Sequence, residues 1–185
     1  MNLIKFFIKK IVFIFYCLIY RLDLIFIPKN KNIIVFDIDN TLANTWPSLK
    51  SSMASNQYDF YRRLPLINDA KYLVEESQLK GYSIFFLSAR DPRYWLSTKF
   101  WLSDKFNITS FSLRLVPNVK MKIGYWKKLS KQNKLVVIDD LSYNHENNNI
   151  KFYKPEIDYL SNNNNIKYFG YHDVVTGLNK ISNKL

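Results

Sequence analysis

Two carboxylates stand at the abrupt end of an apolar run early in the chain. The run Ile33 to Phe36 is followed by Asp37, Ile38 and Asp39. Because side chains alternate along an extended chain, Asp37 and Asp39 should point the same way, with Ile38 opposed. Two unpaired carboxylates at such a distance repel each other, so either a cation lies between them or one holds a proton. This pair is the first candidate for metal binding or acid–base chemistry.

Other polar residues end later apolar runs in the same way. The run Leu135 to Ile138 leads into Asp139 and Asp140, and the run Tyr82 to Leu87 leads into Ser88. Short β-branched and apolar runs between polar flanks are typical of strands buried on both faces. An open α/β sheet places its chemistry at the carboxyl ends of such strands. The sequence therefore predicts that these polar residues meet at one edge of a sheet.

Two lysines compete for a place at the same edge. Ser112 to Val116 reads as a further strand, and a helix is predicted to open at Asn118, with Lys120 and Lys122 in its first turn. Positions two apart on a helix differ by about 200°, so Lys120 and Lys122 cannot both face one site. The residues themselves leave the choice open.

Strands and helices alternate along the chain. A parallel sheet is the arrangement that such alternation predicts, and the first, second and fourth strands must be neighbours for their ends to converge. The predicted helices and the last strand, in chain order, are Pro65 to Leu79, Asp91 to Phe106, Asn118 to Leu129, the strand Ile166 to Phe169, and a helix from about Asp173.

Composition limits the number of domains and the kind of partner. With 185 residues, 48% of them hydrophobic, the chain can bury one sizeable core. The formal net charge of +12 favours anionic partners such as phosphorylated molecules, nucleic acid or an acidic membrane face, and does not choose among them. Cys17 is the single cysteine, so disulfides cannot hold the fold and a reducing compartment is compatible.

The first 27 residues are apolar and basic. Their uninterrupted apolar part, Ile11 to Tyr20, is about half of the ~20 residues that a spanning helix needs. On a helix the apolar side chains share one side and the lysines lie toward the other, which is the pattern of an interfacial helix. We predict a peripheral contact with the inner face of a membrane, or alternatively packing on the following domain. Residues 1–32 would form this helix and a hinge.

The motif Asp37-Ile38-Asp39-Asn40-Thr41-Leu42 resembles the first motif of the haloacid dehalogenase-like (HAD) phosphatase superfamily. Ser88, the lysine pair and Asp139-Asp140 stand in the order of the later motifs of that family. The resemblance implies a Rossmann-like α/β fold over residues 33–185, with a parallel sheet of about five strands in the order 3-2-1-4-5 and helices on both faces. It also implies a minimal cap, inserted at about residues 43–64.

The resemblance also implies roles for the site residues. Asp37 would be the nucleophile, and Asp39 the general acid and base. Ser88 and a lysine would hold the phosphoryl oxygens, and spacing to the next motif favours Lys120 over Lys122. Mg²⁺ would be the cofactor. Substrate would be contacted by Thr41, Arg90 and Lys122, with Thr41 also orienting Asp39 and Arg90 adding positive charge from the rim. The metal ligands would be Asp37, the carbonyl of Asp39, Asp139 and Asp140.

Three functions are compatible with these residues. A cytoplasmic, membrane-peripheral phosphatase would act on a phosphorylated sugar, a lipid-linked precursor or a similar metabolite. A polynucleotide 3′-phosphatase is the alternative, since Arg93, Tyr94, Thr98 and Trp101 resemble the corresponding helix of phage polynucleotide kinase-phosphatase. A non-catalytic phosphate-binding module is the remote third. The sequence does not indicate the leaving group or the oligomeric state.

Overall fold

A parallel sheet organises the computed structural model, which describes residues 31–46, 48, 56–145 and 149–185. The sheet has five strands in the order β3-β2-β1-β4-β7, and every neighbouring pair is parallel. The predicted order is therefore confirmed, with the fifth position taken by the strand predicted over residues 166–169. The strands are β1 (Asn32–Phe36), β2 (Ser83–Ser88), β3 (Ser112–Leu115), β4 (Lys134–Ile138) and β7 (Ile166–Phe169).

A short antiparallel hairpin lies between β4 and β7 in the chain. Its strands are β5 (Ser142–Tyr143) and β6 (Lys151–Phe152). The sequence did not predict this hairpin, because two-residue strands carry too little hydrophobic periodicity to be recognised. It follows directly on the second acidic pair, so it forms one wall of the edge where the site was expected.

Apolar side chains cover both faces of the sheet. Ile34 and Phe36 belong to one buried cluster, whereas Ile33 and Val35 belong to another. This alternation along β1 is what a strand buried on both faces requires. The helices that pack against the sheet complete the two clusters. The fold is thus an α/β sandwich of helix, sheet and helix, as the Rossmann-like α/β arrangement predicted for this part of the chain requires.

Seven helices surround the sheet in the described part of the chain. The helix predicted from Pro65 begins only at Ala70, because the carbonyl of Pro65 accepts a hydrogen bond from the amide of Asn44 and holds the loop after β1. The helices are α1 (Gln57–Arg63), α2 (Ala70–Leu79), α3 (Trp95–Lys105), α4 (Lys122–Ser130), α5 (Lys154–Ser161), α6 (Tyr171–Thr176) and α7 (Leu178–Ser182), with 3₁₀ turns at Pro92–Tyr94 and Val119–Met121.

Two of the predicted segments fall partly or wholly outside the described residues. The N-terminal amphipathic helix over residues 1–27 is one of them. The predicted cap insert over residues 43–64 is described at residues 43–46, 48 and 56–64, where it contains α1. Among the helices that the structure describes, none combines the length and apolar character needed to cross a bilayer.

Candidate active site

The carboxyl ends of three adjacent strands meet in one cleft. β1 pairs with β2 on one side and with β4 on the other, so that Phe36 lies level with Phe86 and Ile138. The ladder continues one residue further, since the amide of Asp37 donates to the carbonyl of Ile138 at 2.9 Å. The resulting cavity of about 160 Å³ is lined by Asp37, Asp39, Asn40, Ser88, Ala89, Val119, Lys122, Asp139, Asp140, Leu141, Ser142 and Tyr153.

Three carboxylates in this cleft could hold a metal ion. Asp37, Asp139 and Asp140 each offer a ligand oxygen, and these oxygens all lie within 4.8 Å of one another. All three residues are buried, with 4%, 3% and 4% of their surface exposed. Hard divalent cations prefer such oxygen ligands. The convergence predicted for the two acidic pairs is therefore present, although Asp39 is not part of the cluster.

Lys122 is the lysine that faces the site. Its Nζ donates to Asp37 Oδ1 and to Asp139 Oδ2, each at 2.7 Å, and the residue is 2% exposed. Lys120 is exposed on the 3₁₀ turn before α4. The preference for Lys120 is thus wrong, and Lys122, the other candidate, is the lysine in the site. Sequence spacing cannot locate the point where the 3₁₀ turn gives way to the α-helix, and that point decides which lysine turns inward.

Charge is unbalanced within the cluster. The ammonium of Lys122 offsets one of the three carboxylates, which leaves an excess of two negative charges in a buried space. Burial raises the pKa of Asp37 to about 7, with further contributions from Asp139 and Asp39. Burial likewise raises the pKa of Asp139 to about 6 and that of Asp140 to about 7. A dication would neutralise this excess, so charge and donor type both fit a divalent metal ion.

Asp39 is held by four donors on one side of the cleft. Its Oδ1 accepts from Arg90 Nη2 at 2.6 Å and from Thr45 Oγ1 at 2.7 Å. Its Oδ2 accepts from Arg90 Nε at 3.1 Å and from Ser88 Oγ at 3.0 Å. Although burial opposes the charged form, Arg90, Thr45 and Ser88 together hold the pKa of Asp39 below its ordinary value. Asp39 is therefore an ionised carboxylate with both oxygens occupied.

Arg90 is not on the rim, where it was predicted. The residue is 2% exposed, and its guanidinium also donates to Thr98 Oγ1 at 2.9 Å. The ring of Tyr61 lies 4.2 Å from the guanidinium carbon. Because every edge of the guanidinium is engaged with the protein, Arg90 positions Asp39 and does not reach out to a substrate.

Thr41 orients a different carboxylate from the one predicted. Its Oγ1 donates to Asp140 Oδ1 at 3.2 Å and accepts from the amide of Asp140 at 3.1 Å. The residue has no exposed surface, so it cannot contact a substrate. Thr45 makes the contact with Asp39 that was assigned to Thr41. The turn after β1 explains the exchange, since Asn40, between Asp39 and Thr41, has a φ of 58° and turns the chain so that Thr41 reaches Asp140 while Thr45 comes back to Asp39.

The hairpin after β4 supplies contacts that the sequence did not indicate. Ser142 Oγ donates to Asp140 Oδ2 and lies 2.9 Å from His145 Nε2. Leu141 has a φ of 45°, a conformation that costs a leucine about 1–3 kcal/mol and is typical of functional sites. The sequence carried no spacing from which the link between Asp140, Ser142 and His145 could be predicted.

Asp139 is fixed from β7. The carbonyl of Phe169 accepts from the amide of Asp139 at 3.1 Å, and Tyr168 Oη donates to the carbonyl of Asp139 at 3.0 Å. A Cβ atom at Gly170 would come within 2.8 Å of Tyr168 Oη. Glycine at position 170 is thus required for the tyrosine hydroxyl to reach Asp139.

One oxygen in the cleft stands apart from these networks. Asp37 Oδ1 accepts from Lys122, whereas Oδ2 accepts no hydrogen bond from any residue that the structure describes. The same carboxylate belongs to the three-aspartate cluster. Asp37 Oδ2 is therefore the oxygen that is available to a metal ion or to an electrophile entering the cleft.

Comparisons with known proteins give limited likeness. No protein-family model matches the chain, and no curated protein matches it. A search of solved structures finds the class C acid phosphatase from Bacillus anthracis with tungstate bound, at 17% sequence identity and a TM-score of 0.48. The match covers 61% of this chain and 53% of the phosphatase, so this chain spans about half of that protein's length.

Proposed function

We propose that the protein is a Mg²⁺-dependent phosphomonoester hydrolase that works through an aspartyl-phosphate on Asp37. The observation that carries the proposal is the three-aspartate cluster at the ends of β1 and β4, bridged by the ammonium of Lys122. The cavity is of a size for a phosphoryl group and not for a whole drug-sized ligand, which would need about 300 Å³ or more. The substrate we propose is a phosphorylated sugar, a lipid-linked precursor or a similar metabolite.

The nucleophile would be Asp37 Oδ2. Lys122 holds the other oxygen of Asp37, so the carboxylate is oriented with its second oxygen toward the cleft. The same ammonium would offset the charge that develops on the phosphoryl oxygens during attack. Ser88 Oγ, at the tip of β2, belongs to the lining of the cleft and would pass from Asp39 to a phosphoryl oxygen.

Asp39 would be the general acid and base of the reaction. In the arrangement described, its oxygens accept four hydrogen bonds and leave no place for a proton. As an ionised carboxylate it can take a proton from the water that hydrolyses the aspartyl-phosphate. To protonate a leaving oxygen in the first half of the reaction, it must first lose one of these donors. The transfer of Ser88 to the phosphoryl group would free one lone pair of Oδ2, which would take up that proton from solvent and, in later turnovers, from the hydrolytic water.

A Mg²⁺ ion would be held by Asp37, Asp139 and Asp140, with the carbonyl of Asp39 as a further ligand. When bound, it would screen the repulsion between a carboxylate nucleophile and an anionic phosphate. Thr41 and Ser142 hold the two oxygens of Asp140, and the amide of Leu141 holds Oδ1 of Asp139 at 3.2 Å. These contacts fix the carboxylates that the ion needs.

The structure offers no specific support for the polynucleotide alternative. Thr98 and Trp101, which contributed to that resemblance, are fully buried. Thr98 accepts from Arg90, and Trp101 Nε1 donates to the carbonyl of Leu64 at 2.8 Å. Arg93 is exposed and paired with Asp91 at 2.7 Å. Packing and an ion pair within the chain therefore account for most of the residues that resemble the polynucleotide phosphatase helix. The polynucleotide alternative is tested by including an oligonucleotide among the substrates.

Phosphate release measured over a panel of substrates tests the proposal. The panel contains sugar phosphates, polyprenyl phosphates, nucleotides and a 3′-phosphorylated oligonucleotide, each with Mg²⁺ and with EDTA. We expect release that requires Mg²⁺ and is lost in Asp37→Asn. The matched control is Asp104→Asn, which alters an exposed aspartate of α3. Hydrolysis that persists in Asp37→Asn would refute the mechanism, and fastest release from the oligonucleotide would replace the substrate class.

A further inference from the structure

An apolar row runs along the outer side of α3. Trp95, Leu96 and Phe100 are 38%, 48% and 45% exposed, although each is a large hydrophobic residue. At 100° per residue they spread over an arc of about 140° on the half of the helix that faces away from the core. The opposite side of α3 is buried, with Trp101 and Leu102 in the core. The helix is thus apolar on both sides, and only one of them is used by the fold.

Cations lie against this row. Lys99 Nζ is 5.1 Å from the ring of Trp95, and the guanidinium of Arg62, from α1, is 5.3 Å from the ring of Phe100. Neither Arg62 nor Lys99 pairs with a carboxylate of the described chain. The surface formed by Arg62, Trp95, Leu96, Lys99 and Phe100, here named the α3 face, therefore carries two positive charges that no carboxylate among the described residues pairs, beside exposed apolar side chains.

The α3 face adjoins the candidate active site. Tyr94, which directly precedes α3, packs against Tyr61 with ring centroids 4.8 Å apart. Tyr61 in turn lies on Arg90, the residue that holds Asp39. A ligand bound on the α3 face would therefore lie beside the cleft.

We propose that the α3 face docks on an anionic lipid bilayer. Apolar side chains with long cations beside them match the boundary between acyl chains and acidic headgroups. A single nucleic-acid strand is the other polyanion to consider, and it would stack bases on exposed rings. The centre of the row is Leu96, which offers no aromatic ring, and Trp95 and Phe100 each already have one ring contact with a cation of the chain itself.

The inference deepens the proposed function, because a phosphatase held in this way meets substrates that are anchored in lipid. The link to lipid-anchored substrates rests on the proposed function, whereas contact with the bilayer itself requires no catalysis. Docking and hydrolysis are therefore measured separately. The catalytically inactive Asp37→Asn variant is expected to bind vesicles as the wild-type chain does.

Tryptophan quenching in the full-length chain tests the contact directly. The probe is a set of vesicles of phosphatidylglycerol and phosphatidylcholine with brominated acyl chains, which quench only indoles that reach the bilayer. Trp101 and Trp126 have no exposed surface and serve as internal references, whereas Trp46 is only partly buried and is replaced by Phe in both chains that are compared. We expect quenching in the chain that keeps Trp95 and its loss when Trp95→Phe is added, whatever other segment binds lipid. Equal quenching in both chains, or none in either, would overturn the proposal.

Vesicle binding by variants that add a negative charge to the α3 face, or remove a positive one, provides a second measurement. Leu96→Glu and Phe100→Glu should each weaken binding to phosphatidylglycerol vesicles by about tenfold, and Lys99→Gln by about fivefold. Leu79→Glu is the matched control, because Leu79 is 82% exposed on α2. If these variants weaken binding of a single-stranded oligonucleotide while vesicle binding is unchanged, the α3 face is a nucleic-acid interface and the lipid proposal fails.

Discussion

The metal-free protein should lose stability as the pH is raised, and a divalent cation should restore it. Asp37, Asp139 and Asp140 have pKa values of about 7, 6 and 7 in the folded chain, against 3.8 for an ordinary aspartate. Between pH 4 and 7 the folded state therefore binds more protons than the unfolded state. Stability must fall with rising pH over this window. The direction is opposite to that of a carboxylate whose pKa is lowered by an ion pair.

The size of the effect follows from the number of protons released. If the folded cluster holds one proton more than the unfolded chain between pH 5.5 and 7.5, the free energy of unfolding falls by roughly 1.4 kcal/mol per pH unit, or about 2.8 kcal/mol in all. For a domain of this size, that corresponds to a Tm lower by about 6–11 °C. Mg²⁺ at about 100 times its dissociation constant adds ~2.7 kcal/mol, or about 5–11 °C.

Thermal unfolding in EDTA and in MgCl₂, at pH 5.5 and 7.5, measures both effects. The gain from Mg²⁺ should be larger at pH 7.5, since protons compete with the ion for the same carboxylates. Asp140→Asn should reduce the pH dependence and the gain together, whereas Asp104→Asn on the surface of α3 should leave both unchanged. A Tm that is independent of pH and of Mg²⁺ in the wild-type chain would refute the charge imbalance on which this reasoning depends.

Three further perturbations separate the roles of the site residues. Lys122→Met should lower the free energy of unfolding by about 3–5 kcal/mol, because two buried carboxylates lose their partner, and should reduce kcat by about 10²–10³-fold. Lys120→Met, the control, should change the free energy of unfolding by less than about 0.5 kcal/mol. Equal effects of the two variants in denaturant unfolding and in phosphate release would contradict the assignment of Lys122. In Arg90→Lys the lysine cannot reproduce the bidentate contact with Asp39, so kcat should fall by about 10²-fold with little change in KM. The acid limb of the pH–rate profile should move to higher pH, because Arg90 no longer holds down the pKa of Asp39. A rise confined to KM would show instead that Arg90 binds substrate. Thr41→Val should reduce the gain in Tm from Mg²⁺, because Thr41 holds Asp140, while Thr45→Val should alter the pH–rate profile, because Thr45 holds Asp39. If Thr41→Val altered the pH–rate profile and Thr45→Val reduced the gain in Tm, Thr41 would be the residue that orients Asp39.

Local sequence was sufficient for the strands and the order of the sheet. Each strand of the parallel sheet is an apolar run between polar flanks, and such a run is constrained by its own composition. The right-handed connections of alternating strands and helices then leave few possible orders. The start of α2 at Ala70 was not predictable in the same way. The carbonyl of Pro65 accepts from the amide of Asn44, and the amide of Ile67 donates to the carbonyl of Leu42, so bonds to the loop after β1 replace the first helical turn.

The contacts of the site depended on the tertiary structure. The position of Arg90 just after a strand predicted an exposed guanidinium. The guanidinium is buried, because Asp39, Thr98 and Tyr61 contact it from three different parts of the fold. Ser142 and His145 follow Asp140 closely in sequence, but only the turn at Leu141 and the hairpin bring them to its carboxylate. Side-chain partners of this kind depend on angles that no sequence spacing records.

The amino-acid sequence alone determined which carboxylates converge, because residues that follow buried parallel strands must emerge at the same edge of the sheet. The tertiary structure decided how each one is held: Lys122 and not Lys120 bridges Asp37 and Asp139, Arg90 holds Asp39, and Thr41 holds Asp140. The physical reason is one of range. Strand periodicity is set within a few residues, whereas a buried hydrogen bond requires two distant segments to meet within about 3 Å.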